Sequence, residues 1–504
     1  MRKTRDTRSR SQKRSFSFLS IVLLASILHC LSCSLPRGKS TDPSRHERKD
    51  LPVISLAAEK ERTKISDRFK ETLMNAPADK KFKVLVDFRE QIDIVKLRSM
   101  LEKRNLNKIS KREEVIRAFQ TLSREHDNAI RPFIDEFMKS SDIEYYRKFS
   151  IVNRFYIIAS KKAILRLAER EDILRLIEEY SSSSENAGNQ FEKATEIISR
   201  KGHIENNWAL TMMGADIAWK NGFDGSGVVI GSLDTGIWPG HEQLGENFRG
   251  GDNSWFDPVT GSAAPFDSKG HGTGVLSCAA GKNVNNNKIG VAPNSKWIAA
   301  MANYKNYYNN IFMTYAADWM FTVGKPDIIV NAWSHGRARC DSFDIDFINA
   351  WKAAEIFPVF SAGNQGPREE SSESPADLLA SFSGKVPVLS VGSIDSQRTV
   401  SRFSSRGPSR CTGKLFPMIV APGEKVFFAF PIQADSYMEY SGTSPATGYA
   451  AGVIALIIQK YPEMSVPEIE QRLKDRAVDL GTEGPDNDYG FGLISIPALL
   501  DLQQ

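Results

Sequence analysis

Apolar residues between positions 225 and 498 come in short continuous runs, and the segments between these runs open on small residues. The runs predict buried strands at residues 227–233, 296–301, 327–331, 357–360, 386–391 and 418–420. Short strands that are apolar throughout and alternate with helices are typical of a parallel sheet covered on both faces. The pattern therefore predicts a three-layer α/β domain over residues 206–504, with functional groups at the carboxyl ends of its strands.

A smaller pattern of strands and amphipathic helices precedes this domain. It predicts strands at residues 83–88, 149–160 and 173–179, and helices at residues 92–106, 111–140 and 161–170. This order indicates an α+β domain over residues 81–180 with its helices on one side of a small sheet. The polar, proline-punctuated residues 33–80 are typical of a tether, and the serine-rich start of residues 181–205 is typical of a linker.

The N-terminus has the layout of a secretory signal over residues 1–32, in which a basic segment precedes the apolar run 16–31. The signal has a net charge of +6 and the whole chain has a net charge of +5, so the residues after the signal have a net charge of −1. The basic balance therefore gives no support for nucleic-acid binding. Since no later apolar run approaches the roughly 20 residues of a spanning helix, we expect a protein that is secreted or held at the bacterial cell surface by a lipid on Cys33.

Three residues with the side chains of a nucleophilic hydrolase stand at predicted element ends. Asp234 closes a strand, where a carboxylate is costly unless it is paired or functional. His271 opens a helix among glycines, and Ser444 precedes a helix predicted to begin at Pro445. Each has a structural explanation when taken alone, and Ser444 would serve equally well as an N-cap. Together they supply a nucleophile, a base that takes its proton, and a carboxylate that fixes the imidazole tautomer.

A fourth group suits the same chemistry. Asn364 follows the predicted strand 357–360 in the sequence Ser361-Ala362-Gly363-Asn364. Its side-chain amide can donate a hydrogen bond to the oxyanion of a tetrahedral intermediate. The four residues therefore predict an acyl-transfer site assembled from four distant segments.

Eight short motifs between residues 205 and 495 occur in a known order. They are Asp234-Thr235-Gly236-Ile237, Gly270-His271-Gly272-Thr273, Ile289-Gly290-Val291-Ala292-Pro293, Ala362-Gly363-Asn364, Phe403-Ser404-Ser405-Arg406-Gly407-Pro408, Ala421-Pro422-Gly423, Ser441-Gly442-Thr443-Ser444 and Tyr489-Gly490-Phe491-Gly492. The set resembles the subtilase (S8) family of serine endopeptidases, in the pattern of its bacillopeptidase F type. The resemblance implies a subtilisin-like fold with Asp234 orienting the base, His271 as general base and acid, and Ser444 as nucleophile. It also implies that Asn364 and the Ser444 backbone N–H form the oxyanion hole.

Two stretches depart from the family's pattern. Gly274 stands where the family usually has a second histidine, and Pro445-Ala446-Thr447-Gly448-Tyr449 stands where the family has Met-Ala-x-Pro-His. None of these positions carries the proton or the nucleophile, so the departures do not exclude activity. They concern the packing of the helix next to Ser444, and an effect on turnover would arise there.

The domain over residues 81–180 resembles the ferredoxin-like propeptide of secreted subtilases, with Phe149-Ser150-Ile151-Val152-Asn153-Arg154-Phe155 close to a motif common there. The resemblance implies a self-processing zymogen, in which this domain assists folding and inhibits the enzyme until it is cut off within residues 181–205. A parallel sheet pairs strands that are distant in sequence and folds slowly, so a folding template would help. A permanent accessory domain is the alternative. The expected partners are protein or peptide substrates and the chain's own propeptide.

Specificity is only indicated in outline. The resemblance implies that the residue before the scissile bond binds between two segments, which are Ala332-Trp333-Ser334 and Ser361-Ala362-Gly363. Glu373 would favour a basic residue there through charge pairing in a partly dry site. The alternative is a solvated carboxylate like its neighbours Glu369 and Glu370.

No cofactor is expected to be required. Structural calcium is common among subtilases, and one loop is rich in side-chain oxygens, at Asn283, Asn285, Asn286 and Asn287. Carbonyl ligands cannot be recognised from sequence, so no metal site is assigned. The cysteines after Cys33 are Cys278, Cys340 and Cys411, which are too few for a disulfide framework but allow one bridge between Cys340 and Cys411.

Three other functions are consistent with parts of the sequence. An aspartic protease would need a second Asp-Thr-Gly or Asp-Ser-Gly beside Asp234, and the chain has none. A dinucleotide site at Gly225-Ser226-Gly227 would need a third glycine where Ile230 stands. Its glycines would also follow a strand, whereas these glycines precede one. A catalytically weak subtilase scaffold that acts as a surface binding or adhesion protein rests on the altered residues after Ser444 alone.

Overall fold

The computed structural model describes residues 51–56, 64–183, 207–305, 307–333, 343–367, 371 and 388–503, and these residues belong to one compact unit. The predicted signal segment, Cys33 and Cys340 lie outside the described residues. Within the described ranges, no helix combines the length and the apolar character that crossing a membrane requires. Cys411 is disulfide-bonded, and Cys278 is buried with a free thiol.

The N-terminal domain is built around an antiparallel sheet with the strand order β4-β5-β2-β6. Its elements in chain order are β1 (Val53–Ser55), α1 (Asp67–Asn75), β2 (Lys81–Phe88), β3 (Glu90–Ile92), α2 (Ile94–Glu102), α3 (Lys108–Lys139), β4 (Ile143–Phe149), β5 (Arg154–Ser160), α4 (Lys161–Glu169) and β6 (Ile173–Glu178). Alternate residues of β2 face opposite ways, as a strand requires. Val84 and Val86 pack on the domain's own helices, while Leu85 packs toward the C-terminal domain.

Three predictions for this region were wrong in detail. The predicted strand 149–160 is a hairpin of β4 and β5, and its turn is apolar because it is buried against the C-terminal domain. There Asp318 accepts the backbone N–H groups of Ser150 and Ile151 at 2.7 and 2.9 Å. The predicted tether contains β1 and α1, and α1 places Phe69 and Leu73 in the domain core. The predicted linker opens with a strand, β7 (Ser181–Ser183).

The C-terminal domain contains all six predicted strands in one parallel sheet, with the order β16-β15-β14-β13-β8-β10-β9. Its elements in chain order are α5 (Trp208–Met213), α6 (Ala215–Lys220), β8 (Val229–Asp234), β9 (Trp255–Phe256), α7 (His271–Ala280), β10 (Lys296–Met301), β11 (Asn303–Tyr304), β12 (Tyr307–Asn309), α8 (Asn310–Trp319) with a π-helical end (Met320–Gly324), β13 (Ile328–Asn331), α9 (Phe343–Ala353), β14 (Phe357–Ser361), β15 (Leu389–Ile394), β16 (Ile419–Pro422), β17 (Val426–Ala429), β18 (Tyr437–Tyr440), α10 (Thr443–Lys460), α11 (Val466–Arg476) and α12 (Ile496–Leu499). The prediction of an α/β domain preceded by a small α+β domain is confirmed.

The two faces of the large sheet are covered by different helices. On one face α7 and α10 pack on residues such as Ile230, and on the other α8 and α9 pack on residues such as Leu233. The N-terminal domain lies against the α8 and α9 layer, since Leu85 and Tyr156 share a core with it. Strand β8 has β13 on one side and β10 on the other, so the strand order reverses there. Ligand sites of open α/β sheets lie at such a reversal, at the carboxyl ends of the strands.

Candidate active site

Asp234 and His271 form a hydrogen-bonded pair at the carboxyl end of β8. Asp234 is 3% exposed, and its Oδ1 lies 2.7 Å from His271 Nδ1 and accepts the Thr235 N–H at 2.7 Å. Burial disfavours the charged imidazolium, but the charge and hydrogen bond of Asp234 outweigh it and raise the pKa of His271 above its usual value. The pair therefore fixes the tautomer with a protonated Nδ1, which leaves Nε2 as the basic nitrogen.

Close approach of α7 to β8 makes this pair possible. A Cβ on Gly272 would lie 2.2 Å from Gly236 O and 3.0 Å from the Asp234 Cβ. Real Cβ atoms do not approach backbone oxygens this closely, so glycine is needed at position 272 for the helix to begin against the strand end. Gly272, one of the small residues beside His271, therefore serves backbone approach.

Asp267 holds the segment that leads into α7, and sequence reasoning missed it. Its Oδ1 accepts the Thr235 hydroxyl at 2.7 Å and the N–H groups of residues 269–270 at 3.0 and 2.7 Å. Its Oδ2 accepts the N–H and the hydroxyl of Thr273 at 2.8 and 2.6 Å. Burial raises the pKa of Asp267, although these donors favour the carboxylate. Asp267 thus connects the end of β8 to the first turn of α7, and an Asp just before a helix was the available signal.

Ser444 lies in the first turn of α10 and is 5% exposed. The helix begins at Thr443, two residues before the predicted start at Pro445. Pro445 is tolerated there because it lies in the first turn, where its missing N–H has no intrahelical partner. The N-cap is Gly442, whose backbone is extended. The interpretation of Ser444 as an N-cap is therefore wrong, and its backbone N–H is one of the donors that a helix start leaves without an intrahelical acceptor.

Helices α7 and α10 pack side by side in parallel, and their contacts recur once per turn. A Cβ on Gly448 would lie 2.3 Å from Val275 O, and a Cβ on the glycine four residues later would lie 3.0 Å from Ala279 O. Both contacts advance by four residues, which is about one turn on each helix. One turn back from Gly448 and Val275 on the two helices are Ser444 and His271. The same register therefore brings the first turn that carries Ser444 beside the first turn that carries His271.

Asn364 contacts the residue that precedes Ser444. It follows β14 after Gly363, and its Oδ1 accepts the Thr443 N–H at 2.9 Å and the Thr443 hydroxyl at 3.0 Å. The Thr443 oxygen in turn accepts the Gly363 N–H at 3.2 Å. Because Oδ1 is engaged by Thr443, the amide NH2 is the end presented beside Gly442, where a Cβ would lie 3.7 Å from Nδ2. Thr443, which the sequence did not single out, therefore orients the donor.

Gly274, the first departure from the family's pattern, is explained by a neighbouring ring. A Cβ at position 274 would lie 1.6 Å from two ring atoms of Phe428 on β17. The Phe428 ring packs edge-on against Tyr440 at 4.9 Å between centroids, and the Tyr440 ring lies 6.5 Å from that of His271. The space that a side chain at position 274 would occupy is therefore filled by Phe428.

Tyr449, the largest departure after Ser444, is fully buried between helices. Its hydroxyl is within 3.4 Å of the Asn207 amide, which donates to it, and it is also hydrogen-bonded to the Cys278 thiol. Burial raises the pKa of Cys278 to about 12, so this thiol is neutral. Since α10 runs unbroken from Thr443 to Lys460, the altered residues are accommodated without distortion of the helix.

The residues predicted to border the substrate pocket lie side by side where they are described. Ala332 and Trp333 follow β13, while Ser361 ends β14 and Ala362-Gly363 follow it. These neighbouring strands pair in parallel with Asn331 opposite Phe360. The Trp333 ring lies 5.9 Å from Tyr308 and 5.8 Å from Phe360. Ser334 and Glu373 lie outside the described residues.

A strand that the sequence did not predict lies beside these residues. Strand β12 pairs in antiparallel fashion with β7, with Tyr307 opposite Ser183 and Asn309 opposite Ser181. Tyr180, just before β7, forms two hydrogen bonds with Asn310. The Asn310 side chain accepts the Tyr180 N–H at 2.9 Å, and the Asn310 backbone N–H donates to Tyr180 O at 3.1 Å. The segment that leaves the N-terminal domain is therefore hydrogen-bonded to β12 of the C-terminal domain, and Tyr308 of β12 lies beside Trp333. The sequence does not reveal β12 because the strand has only three residues, ends in Asn309 and is too short for an apolar run.

Two oxygens of the asparagine-rich loop accept hydrogen bonds from the protein itself. Asn283 Oδ1 accepts the N–H groups of Ile289 and Gly290 at 2.8 and 3.1 Å. The Gln243 amide donates to Asn287 O at 3.1 Å. These oxygens already accept hydrogen bonds from the protein, whereas calcium needs six to eight oxygens turned toward one point. Among the described residues no group of three or more His, Cys, Asp or Glu side chains could hold a metal ion.

Comparison with known proteins identifies similar chains. The family model described as "Subtilase family" (Peptidase_S8) matches residues 225–492. Bacillopeptidase F of Bacillus subtilis (strain 168) is 28% identical, over 95% of this chain and 35% of its own length. Subtilisin DY of Bacillus licheniformis is 28% identical and subtilisin BL of Lederbergia lenta is 30% identical, each over 58% of this chain and 97% of its own length. The chain thus covers about a third of bacillopeptidase F and nearly all of each subtilisin.

Proposed function

Because the chain belongs to the subtilase family, we propose that it is a serine endopeptidase that cuts proteins through Asp234, His271 and Ser444. The observation that carries this proposal is the 2.7 Å contact of Asp234 with His271 Nδ1, at the start of a helix that packs beside the helix carrying Ser444. A buried carboxylate on Nδ1 is what a general base needs in order to accept a proton on Nε2 and to be stabilised as the imidazolium.

The proposed reaction forms and then hydrolyses an acyl-enzyme. Ser444 Oγ attacks the scissile carbonyl carbon while His271 Nε2 takes its proton, and His271 then gives that proton to the leaving amine. The Asn364 amide and the Ser444 N–H donate hydrogen bonds to the oxyanion of the tetrahedral intermediate. Water activated by His271 then attacks the acyl carbon and releases Ser444. Orientation by Thr443 means that the Asn364 donor is in place before the charge develops.

The N-terminal domain is proposed to act as a propeptide. Its sheet packs on α8 and α9, and β7, the strand that follows it, pairs with β12 beside Trp333. An extended segment added to a sheet edge is a common way for a protease to hold a peptide. We expect the processing site in the part of the predicted linker 181–205 that follows β7. The signal over residues 1–32 would direct the protein out of the cell, either free or anchored through Cys33.

Covalent labelling tests the proposed nucleophile. Purified full-length protein is treated with a fluorophosphonate probe, alongside Ser444→Ala and the matched control Ser441→Ala. Ser441 lies three residues away and accepts the Lys425 N–H at 2.9 Å, so its loss perturbs the same loop without removing the nucleophile. We expect labelling of the wild type and of Ser441→Ala, and none of Ser444→Ala. Failure of the folded wild type to label would favour the subtilase scaffold with a binding function.

A further inference from the structure

Helix α3 belongs to both domains at once. Its second half contributes Ile130, Ile134 and Phe137 to the core of the N-terminal domain. Its first half contributes Val115, Ile116 and Phe119 to the core around α8 and α9. The Phe119 ring packs edge-on against Phe321 of the C-terminal domain at 5.3 Å between centroids. The first turns of α3 therefore lie on the C-terminal domain.

Arg112, in the second turn of α3, inserts its guanidinium between two loops of the C-terminal domain. Its Nε donates to Ala354 O at 3.1 Å, its Nη1 to Lys325 O at 3.1 Å, and its Nη2 to Glu355 O at 3.1 Å. Nη2 also donates to Asp327 Oδ1 at 3.0 Å. Arg112 as a whole is 9% exposed. Charge-assisted hydrogen bonds in such a dry setting are among the strongest that proteins make.

The acceptors suit a cation because they end two helices. Lys325 ends the π-helical continuation of α8, and residues 354–355 follow the end of α9. Both Lys325 and Glu355 have left-handed backbones, with φ of 48° and 55°. Carbonyl groups at helix C-termini lack intrahelical donors and carry the negative end of the helix dipole. One guanidinium thus satisfies the ends of both helices on which the N-terminal domain rests.

Asp327 is built into the same place. Its Oδ2 accepts the Val229 N–H at 3.0 Å at the start of β8, which orients Oδ1 toward Arg112. Around it, the Lys325 ammonium contacts both carboxylate oxygens of Glu113 at 2.9 and 3.1 Å. Lys108, at the start of α3, donates to Met464 O at 3.3 Å. All of these groups lie at the amino end of the sheet, opposite to Asp234 and His271.

We propose that Lys325 O, Ala354 O, Glu355 O and the Asp327 carboxylate form a guanidinium-binding site, here named the arginine cup. Its ligand is an arginine side chain presented on a helix, and Arg112 occupies it. The cup holds the N-terminal domain on the C-terminal domain by a contact that does not involve the candidate active site or the linker. After the linker is cut, this contact therefore slows the release of the domain. The inference goes beyond the proposed peptidase activity, because the contact does not depend on Ser444.

Domain release from a cut chain tests the cup. The full chain carries Ser444→Ala, so that it cannot cut itself, and a recognition sequence for an added, unrelated protease between residues 184 and 206. After cutting, the release rate of the N-terminal domain is followed by size-exclusion chromatography of diluted samples. The variants are Arg112→Ala, Arg112→Lys and the control Arg117→Ala. Arg117 lies on the same helix, is 60% exposed and pairs with Glu114 of its own helix at 3.0 Å.

We expect Arg112→Ala to release the domain about 30-fold faster or more, because its loss leaves the Asp327 carboxylate unpaired at the interface. Arg112→Lys keeps the charge but cannot form the forked bonds, so an increase of about 10-fold is expected. Arg117→Ala should stay within about twofold. Equal release from Arg112→Ala and Arg117→Ala would overturn the proposal. If Arg112→Ala does not fold before cutting, Arg112→Lys decides, and its release at the wild-type rate would overturn the proposal equally. Because the cut is made by an added protease, a failure of the peptidase proposal leaves this result unaffected.

Discussion

The carboxyl and amino ends of the large sheet both bury charged groups, but they place them differently. At the carboxyl end, Asp234 is paired with His271, a residue that can change its charge. At the amino end, Asp327 is paired with Arg112, which stays charged at any ordinary pH. The first arrangement suits a proton transfer, and the second suits holding the N-terminal domain until it is released.

The two ends also differ in where their residues come from. The candidate active site is contained in the C-terminal domain, and its parts are set by tight backbone contacts such as that of Gly272 with Gly236 O. The arginine cup is completed only by the N-terminal domain. Changes at one end should therefore affect turnover, and changes at the other should affect domain release, with little effect across the sheet.

The largest effect separating the two ends is expected for Asp234→Asn. An amide cannot hold the Nδ1–H tautomer of His271 or stabilise its imidazolium, so kcat/KM on a fluorogenic peptide should fall by about 10³- to 10⁴-fold. Release of the N-terminal domain from the cut chain should stay within about twofold. A loss of activity below about tenfold would contradict the role given to Asp234.

Replacement of Asn364 should have the next largest effect. Subtilisin, a member of the same family, loses on the order of 10²- to 10³-fold in kcat when such a donor is removed, and we carry this range over to Asn364→Ala. Asn364→Asp is the matched variant, because it keeps an oxygen for Thr443 but loses the NH2 donor. If Asn364→Asp retained full kcat, Asn364 would serve only to hold Thr443.

Gly274→Ala should destabilise the carboxyl end without removing a reacting group. The new Cβ would lie 1.6 Å from the Phe428 ring, and overpacking of a core costs roughly 1–3 kcal/mol. The midpoint of thermal unfolding should fall, and Phe428→Leu in the same chain should recover part of the loss. An unchanged midpoint in Gly274→Ala would show that Phe428 moves aside freely.

The smallest effect is a shift in pH dependence. His271 must be neutral to act as a base, and Asp234 raises its pKa. Activity should therefore rise with pH and reach half its maximum above about 6.5, the ordinary value for histidine. The midpoint of kcat/KM should move to lower pH in Asp234→Asn, provided that residual activity is measurable. Release of the domain in the same pH range should not follow this midpoint.

Several parts of the fold could be predicted because short stretches of sequence determine them. Each of the six apolar runs forms a strand of the large sheet, and Asp234, His271 and Asn364 stand at the strand ends and helix start where chemistry was expected. Burial in the middle of a parallel sheet demands continuous apolar residues, so the pattern is strong there. The roles of these residues and of Ser444 remain predictions for the experiments above.

Other parts depend on contacts between segments far apart in the chain. The sequence predicts residues 150–153 as part of a strand because this turn contains apolar residues, and those residues are buried because Asp318 and its neighbours cover the turn. The position of Arg112 in its helix predicts a solvent-exposed side chain. Its burial arises from two helix ends of the other domain, which the sequence around Arg112 does not reveal. Asp267 resembles an ordinary turn residue until its five hydrogen bonds are seen.

Self-cleavage tests the central claim most directly, since it requires the triad and the placement of the linker together. The intact masses of wild-type and Ser444→Ala chains are measured after identical expression and purification. We expect two fragments from the wild type, divided within residues 184–205, and one uncut chain from Ser444→Ala. Cleavage of Ser444→Ala at the same position, or an uncut wild type that also fails to react with a fluorophosphonate, would contradict the proposed peptidase.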